Sequence, residues 1–189
     1  MQTIKDLKQY TFPALWKNSL AKFSNRPALS FVNGTPFTYQ QINDKIIQVS
    51  SILQSLGIKK GDRVSIFSTS MPNWGASYFG IVNIGAIAVP LLPDFSTIEV
   101  QSILNHAQVS VMFVAEKLWN KIKDLPESVL PIVIKLDDFT FLRGEPENFE
   151  IKDSSNFEQV EISEEDTASI IYTSGTTGRS KGVELSHKN

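Results

Sequence analysis

Apolar residues follow two spacings in turn along the chain. In some segments they return every three or four positions, as on one face of a helix, and between these segments lie short apolar runs typical of buried strands. The two spacings predict helices at residues 12–24, 38–57, 74–84 and 96–106 and strands at residues 63–68, 86–91 and 109–114. Because strands that alternate with helices form parallel sheets, the pattern predicts an α/β fold with a doubly wound, mostly parallel sheet and helices on both faces.

Capping signals set the ends of two of these helices. Thr38 and Gln41 have the spacing of a capping box, in which two side chains bond reciprocally to the first backbone N–H groups, and Ser96 and Glu99 repeat it. Gly57 follows the last apolar position of the second helix and is suited to a left-handed cap. We therefore expect both helices to begin at their boxes and the second to stop at Gly57.

A turn signal separates two short segments before the second helix. Asn33-Gly34 lies between residues 27–32 and 35–38. Both residues tolerate positive φ, so the sequence predicts a β-hairpin with a two-residue type I′ turn.

One long stretch contains no charged residue. It covers residues 64–93, and within it residues 78–92 are almost continuously apolar. A membrane-spanning helix needs about 20 apolar residues, and Asn83, Gly85 and Pro90 interrupt this run. We therefore expect a buried helix followed by a buried strand, with a membrane-inserted helix hairpin as the alternative.

Composition and charge exclude several classes of protein. Apolar residues make up 41% of the 189 positions, and 18 basic against 20 acidic side chains give a net charge of −2, so no strong positive field favours nucleic acid as a partner. The chain contains no cysteine, which excludes disulfides and thiolate sites and fits a cytoplasmic location. Residues 137–166 hold eleven of the acidic side chains, and we interpret them as a surface excursion or an edge hairpin.

The candidate chemistry is concentrated at residues 169–189, which read SIIYTSGTTGRSKGVELSHKN. Glycines allow backbone N–H groups to turn towards an anion, hydroxyls add donors, and a lysine adds positive charge, so the loop could hold phosphate. Its glycine and lysine spacing differs from that of a Walker A loop, and apolar and polar residues alternate over 183–186, which predicts a loop between two strands. A plain Gly/Ser/Thr hairpin is the alternative.

Residues 172–182, YTSGTTGRSKG, resemble the signature loop of the adenylate-forming, AMP-binding enzymes, which include acyl-CoA synthetases, luciferases and peptide-synthetase adenylation domains. Residues 37–64 and 83–114 resemble two further segments of that family, in the same order. Many members have proline where this chain has Ser180, a difference that removes no donor. Within the family, the chain resembles the bacterial long-chain fatty acid–CoA ligases.

The resemblance implies a reaction in two steps. A carboxylic acid, here a fatty acid, first attacks the α-phosphate of Mg²⁺-bound ATP and gives an acyl-adenylate and pyrophosphate. The thiol of coenzyme A then attacks the acyl carbon, which releases AMP and forms a thioester. The alternatives are another adenylate-forming enzyme, such as an adenylation domain, or a non-catalytic nucleotide-binding module.

The resemblance also assigns roles to residues. The β- and γ-phosphates of ATP would be held by Thr173, Ser174, Gly175, Thr176, Thr177, Gly178 and Lys181. Thr173 would also contact Mg²⁺. His187 and Asn189 match a family His-x-Asn pattern and are expected to cap the next helix. Apart from the resemblance, His106 lies in a helical pattern and is expected to be structural.

The family's other motifs are expected outside these 189 residues. We therefore interpret residues 1–189 as an incomplete N-terminal subdomain of an AMP-binding domain, with the acidic excursion at 137–166, the phosphate-binding loop at 172–182 and no catalytic residue of its own. This piece alone is expected to be inactive and to self-associate through an exposed sheet edge. The whole protein is expected to have no transmembrane segment and to be cytoplasmic, or peripheral at a membrane.

Overall fold

A computed structural model describes residues 9–151, 158–173 and 181–189. The helices are α1 (Phe12–Phe23), α2 (Tyr39–Ser55), α3 (Pro72–Asn83), α4 (Thr97–Ala107) and α5 (Glu116–Ile122). The strands are β1 (Pro27–Leu29), β2 (Phe37–Thr38), β3 (Arg63–Phe67), β4 (Ile87–Leu91), β5 (Val109–Val114), β6 (Ile132–Lys135), β7 (Phe141–Arg143), β8 (Thr167–Thr173) and β9 (Lys181–Ser186).

Seven strands form one mixed sheet in the order β7-β6-β5-β3-β4-β8-β9. The five central strands are parallel, and β7 and β9 add an antiparallel strand at each edge. The chain runs from β3 to β4 and then returns across β3 to β5, so the direction of winding reverses between β3 and β5. The predicted doubly wound α/β fold is confirmed.

Helices cover both faces of this sheet. One cluster joins α2 and α3 to the sheet through fully buried residues such as Val49 and Ile81. The other joins α4 and α5 through Ile103 and Ile122. The uncharged stretch supplies α3 and β4 to this interior, as predicted, and the described residues contain no helix that is long and apolar enough to cross a membrane.

Both predicted capping boxes are present. In α2, the Gln41 backbone N–H donates to Thr38 Oγ1 at 3.2 Å, and the Thr38 N–H donates to Gln41 Oε1 at 2.9 Å. In α4, Ser96 and Glu99 make the same pair of bonds at 3.3 and 2.8 Å. Gly57 follows α2 with a φ of +79°, the left-handed conformation expected for it.

The first hairpin differs from its prediction. β1 and β2 pair antiparallel, but seven residues separate them in place of a two-residue turn. The Gly34 N–H donates to the Phe31 carbonyl at 3.0 Å, and Asn33 has a φ of +61°. Gly34 does not share this positive φ, so the prediction of a type I′ turn was wrong. The Phe31–Gly34 bond places Asn33 third in its four-residue turn, where only one positive φ is needed.

The acidic stretch at residues 137–166 contains regular structure among its described residues. β7 pairs antiparallel with β6, and the side chains of Phe139 and Ile162 are buried. The Glu116 N–H donates to Asp137 Oδ2 at 2.8 Å, so one acidic side chain caps the first turn of α5. Most of the described carboxylates of this stretch are exposed, and its buried apolar residues attach it to the sheet.

Candidate phosphate-binding site

The candidate loop joins the last two strands of the sheet. β8 and β9 are antiparallel, with Tyr172 opposite Gly182 and Thr173 opposite Lys181, and residues 174–180 connect them. The predicted strand-to-strand connection is confirmed. Because β8 is parallel to β4, the loop leaves at the carboxyl ends of the parallel strands, the edge at which open α/β sheets bind ligands.

Two of the predicted phosphate ligands lie at the start and end of this loop. Thr173 and Lys181 are exposed, and directly opposed residues of an antiparallel pair have their side chains on the same face. The other predicted ligands lie outside the described residues: Ser174, Gly175, Thr176, Thr177 and Gly178. The structure therefore brings together one hydroxyl and one ammonium group at the site.

These two groups fit a phosphate ligand. None of the ion pairs among the described residues involves Lys181, and its side chain is exposed to solvent. Within the same part of the chain, no group of three acidic, histidine or cysteine side chains could hold a metal ion. Mg²⁺ often takes few protein ligands and completes its shell with phosphate oxygens and water, so a single threonine hydroxyl is compatible with it.

Two tyrosine hydroxyls attach β8 to the helices on its two faces. The Tyr78 hydroxyl on α3 lies 2.7 Å from Ser169 Oγ, and the Tyr172 hydroxyl lies 2.6 Å from Nδ1 of His106 on α4. Burial raises the pKa of Tyr78, which the bond to Ser169 partly offsets, and burial also raises the pKa of Tyr172. Both hydroxyls therefore stay protonated at neutral pH and able to donate.

The ring of Tyr172 also occupies the space beside Gly182 on the neighbouring strand. A Cβ atom on Gly182 would lie 3.0 Å from Cζ of Tyr172 and 3.0 Å from Cγ2 of Ile170. Such distances are shorter than ordinary carbon contacts, so a side chain at this position would push the ring or Ile170 aside by a few tenths of an ångström. Tyr172 thus contacts both strands immediately next to the loop.

The residues after β9 attach it to the start of α1. The Phe12 N–H donates to Nδ1 of His187 at 3.2 Å, and the His187 ring is 6% exposed. Burial lowers the pKa of His187, and its Nε2 is buried without a partner among the described atoms. Asn189 Oδ1 accepts from the Ser186 N–H at 2.8 Å. The expected capping of a following helix stays a prediction.

Solved structures of adenylate-forming enzymes share this fold. A fatty acyl-adenylate ligase from L. pneumophila, in complex with acyl adenylate and pyrophosphate, has a TM-score of 0.78 and 23% identity over 99% of this chain and 32% of its own. The anthranilate CoA ligase AuaEII, in complex with anthranoyl-AMP, has a TM-score of 0.80 and 25% identity over 99% of this chain and 36% of its own.

Sequence comparison identifies the family. The family described as AMP-binding enzyme matches residues 16–189, and the chain therefore belongs to the AMP-binding enzymes. Surfactin synthase subunit 2 of Bacillus subtilis is 30% identical over 94% of this chain and 5% of its own length. Fatty acyl-CoA synthetase A of Dictyostelium discoideum is 30% identical over 80% of this chain and 25% of its own length. The crotonobetaine/carnitine–CoA ligase of Salmonella agona is 28% identical over 93% of this chain and 36% of its own length.

The predicted family resemblance is thus confirmed. The chain spans at most 36% of the length of these three relatives.

Proposed function

We propose that this chain holds the β- and γ-phosphates of ATP in an adenylate-forming ligase. The observation that supports the proposal is the Thr173–Lys181 pair, a hydroxyl and an ammonium on one face at the carboxyl edge of the sheet, with no ion pair to Lys181 among the described residues. Residues 174–178, with their glycines and hydroxyls, are proposed to complete the phosphate contacts, and Thr173 is proposed to contact Mg²⁺.

The proposed reaction activates a carboxylic acid. Its carboxylate oxygen attacks the α-phosphorus, the bond to the β-phosphate oxygen breaks, and pyrophosphate leaves with the electron pair. The loop acts on the leaving group, because charge builds up on the β-phosphate as that bond breaks, and positioned cationic and hydroxyl donors stabilise it. In the second step the coenzyme A thiol replaces AMP on the acyl carbon.

For the acid, we propose a fatty acid and coenzyme A as the acceptor. The fatty acyl-CoA synthetase of Dictyostelium supports both choices, and the crotonobetaine/carnitine–CoA ligase of Salmonella supports coenzyme A as the acceptor. We also propose that residues 1–189 are the N-terminal subdomain of a larger AMP-binding domain, because these relatives are much longer. The reaction uses ATP and coenzyme A, so we place it in the cytoplasm.

The test replaces Lys181 in the longest natural reading frame that contains this chain. Lys181→Ala removes one charge-assisted contact, which is worth about 1.5–3 kcal/mol, so pyrophosphate exchange should fall about 10- to 100-fold. Lys188→Ala is the matched control, because Lys188 is exposed and its one ion pair within the described part of the chain is with the exposed Glu165, at 3.2 Å. It should leave exchange unchanged.

The melting temperature separates function from folding in this test. Both lysines are exposed, so neither substitution should lower it by more than a degree or two. If Lys181→Ala exchanges pyrophosphate as fast as the unaltered protein, the phosphate role of this residue is wrong.

A second candidate is an adenylation domain that activates an amino acid. The surfactin synthase relative favours it, since it matches 94% of this chain at 30% identity. Exchange driven by amino acids and not by fatty acids, with no coenzyme A thioester formed, would select it. ATP binding without exchange for any acid in a broad panel would indicate a non-catalytic nucleotide-binding module.

A further inference from the structure

The aromatic ring of Tyr172 contacts both strands that lead into the candidate loop. Tyr172 directly precedes Thr173 on β8, and its ring fills the space beside Gly182, which directly follows Lys181 on β9. The ring is 4% exposed. The ring therefore packs at the positions next to Thr173 and Lys181, on the opposite face of the two strands.

Among the described residues, one side-chain hydrogen bond joins this buried ring to α4. The Tyr172 hydroxyl and Nδ1 of His106 share a 2.6 Å hydrogen bond, and the two rings meet edge to face at a centroid distance of 5.7 Å. His106 lies in the last turn of α4, whose neighbouring residues Ile103 and Leu104 are buried against the sheet. The histidine is thus carried by a rigid element.

We propose that His106 and Tyr172 are a positioning pair that holds Thr173 and Lys181 at the spacing ATP phosphates require. The inference rests on the proposed function. Loss of either partner removes the hydrogen bond that holds the Tyr172 ring to α4. The ring is then held less firmly beside Gly182, and its movement displaces Gly182 and the ligand next to it.

The chain contains a matched control for this pair. The Tyr78 hydroxyl bonds at 2.7 Å to Ser169, which is also on β8 but four residues before Thr173. This bond lies on the face of β8 opposite to the Tyr172 ring. Tyr78→Phe removes a hydrogen bond of the same type and nearly the same length from β8, at a greater distance from the phosphate ligands. A purely structural role predicts the same outcome for both tyrosines, whereas a positioning role predicts different ones.

The experiment measures the dissociation constant of Mg·ATP by calorimetry in the longest natural reading frame that contains this chain. His106→Ala and Tyr172→Phe should each weaken ATP binding about threefold to tenfold. The double variant should bind no more weakly than either single variant, because all three lose the same hydrogen bond. His106→Asn keeps a polar atom close to the position of Nδ1 and should restore most of the affinity.

Amide hydrogen exchange supplies a readout that does not depend on ATP. His106→Ala and Tyr172→Phe should speed exchange at Thr173 and Lys181, and Tyr78→Phe should leave those two amides unchanged. Tyr78→Phe should lower the melting temperature without changing ATP affinity.

Each outcome decides one question. If Lys181→Ala binds ATP normally, the proposed function fails, and the positioning role fails with it. If Lys181→Ala weakens binding while His106→Ala and Tyr172→Phe do not, only the positioning pair is wrong. Equal effects of Tyr172→Phe and Tyr78→Phe on affinity, or no rescue by His106→Asn, would also overturn it.

Discussion

α2 and α3 approach each other closely at Gly80, and replacing this glycine by alanine tests how tightly the two helices pack. A Cβ atom on Gly80 would lie 2.6 Å from Cγ1 and 2.7 Å from Cβ of Val49, and 3.1 Å from the backbone oxygen of Ile46. Val49 is fully buried and the oxygen belongs to the α2 backbone. Neither can move aside by a simple side-chain rotation.

Two opposing effects determine how Gly80→Ala changes the free energy of unfolding. Alanine is favoured over glycine in a helix by about 1 kcal/mol, whereas an extra carbon in a filled core costs about 1–3 kcal/mol. Carbon atoms pack best at about 3.5–4.0 Å, so the helices must separate by roughly 1 Å. That shift also stretches the buried 3.0 Å bond from Ser50 Oγ to the Gly80 carbonyl, which adds to the cost. We expect a net destabilisation of about 1–3 kcal/mol.

Gly75→Ala in the same helix is the matched control. Its Cβ would meet only Cδ1 of Leu29 at 3.0 Å, and Leu29 is 37% exposed and can rotate away. Helix propensity then dominates, so this variant should be as stable as the unaltered chain or more stable by up to about 1 kcal/mol. Urea unfolding followed by circular dichroism measures both values. If Gly80→Ala matches or exceeds the stability of Gly75→Ala, the close packing inferred for α2 and α3 is wrong.

Three further predictions concern the core, the pH response and the sheet edge. Val89→Asp places an unpaired carboxylate at a fully buried position and should cost several kcal/mol in urea unfolding, whereas Ile98→Asp, at a position 79% exposed, should stay within about 0.5 kcal/mol. Burial keeps the pKa of His187 low in the folded state, so the unfolded chain binds this proton first, and the free energy of unfolding should fall as pH drops below about 6.5. His187→Asn should remove that dependence between pH 7 and 5, and an unchanged slope would show that another group causes it. Val183 is half-exposed on the edge strand β9, so Val183→Lys should reduce any self-association of residues 1–189 in sedimentation experiments.

The helices that sequence predicted best are those whose ends are fixed locally. The capping boxes of α2 and α4 lie within four residues, so their signals are visible in the sequence itself. α5 has no such signal, because Ala115 occupies its cap position and cannot bond through its side chain. The acceptor is instead the carboxylate of Asp137, which lies 21 residues further along the chain and accepts from the Glu116 N–H. A short helix capped through tertiary structure cannot be predicted from local spacing.

At the candidate site, too, local features could be predicted from the sequence and tertiary contacts could not. The alternation of apolar and polar residues around the loop predicted two strands, and the register of β8 and β9 places Thr173 opposite Lys181 accordingly. The contact between His106 and Tyr172 joins residues 66 positions apart. Helical spacing alone gives His106 a structural role, and no local pattern in the sequence relates it to the loop.

The position of β8 in the sheet explains why its side chains matter for the candidate site. Its parallel pairing with β4 has Ala88 opposite Ser169, in the first half of the strand, whereas its antiparallel pairing with β9 extends to Thr173. Side-chain bonds to the helices therefore supplement the backbone ladder where β8 approaches the loop. Among the described residues, Tyr172 makes such a bond nearest to the proposed phosphate ligands, and its partner is on α4. ATP affinity should accordingly respond more strongly to changes at the end of α4 than to equivalent changes on α3, although both helices pack against the same strand.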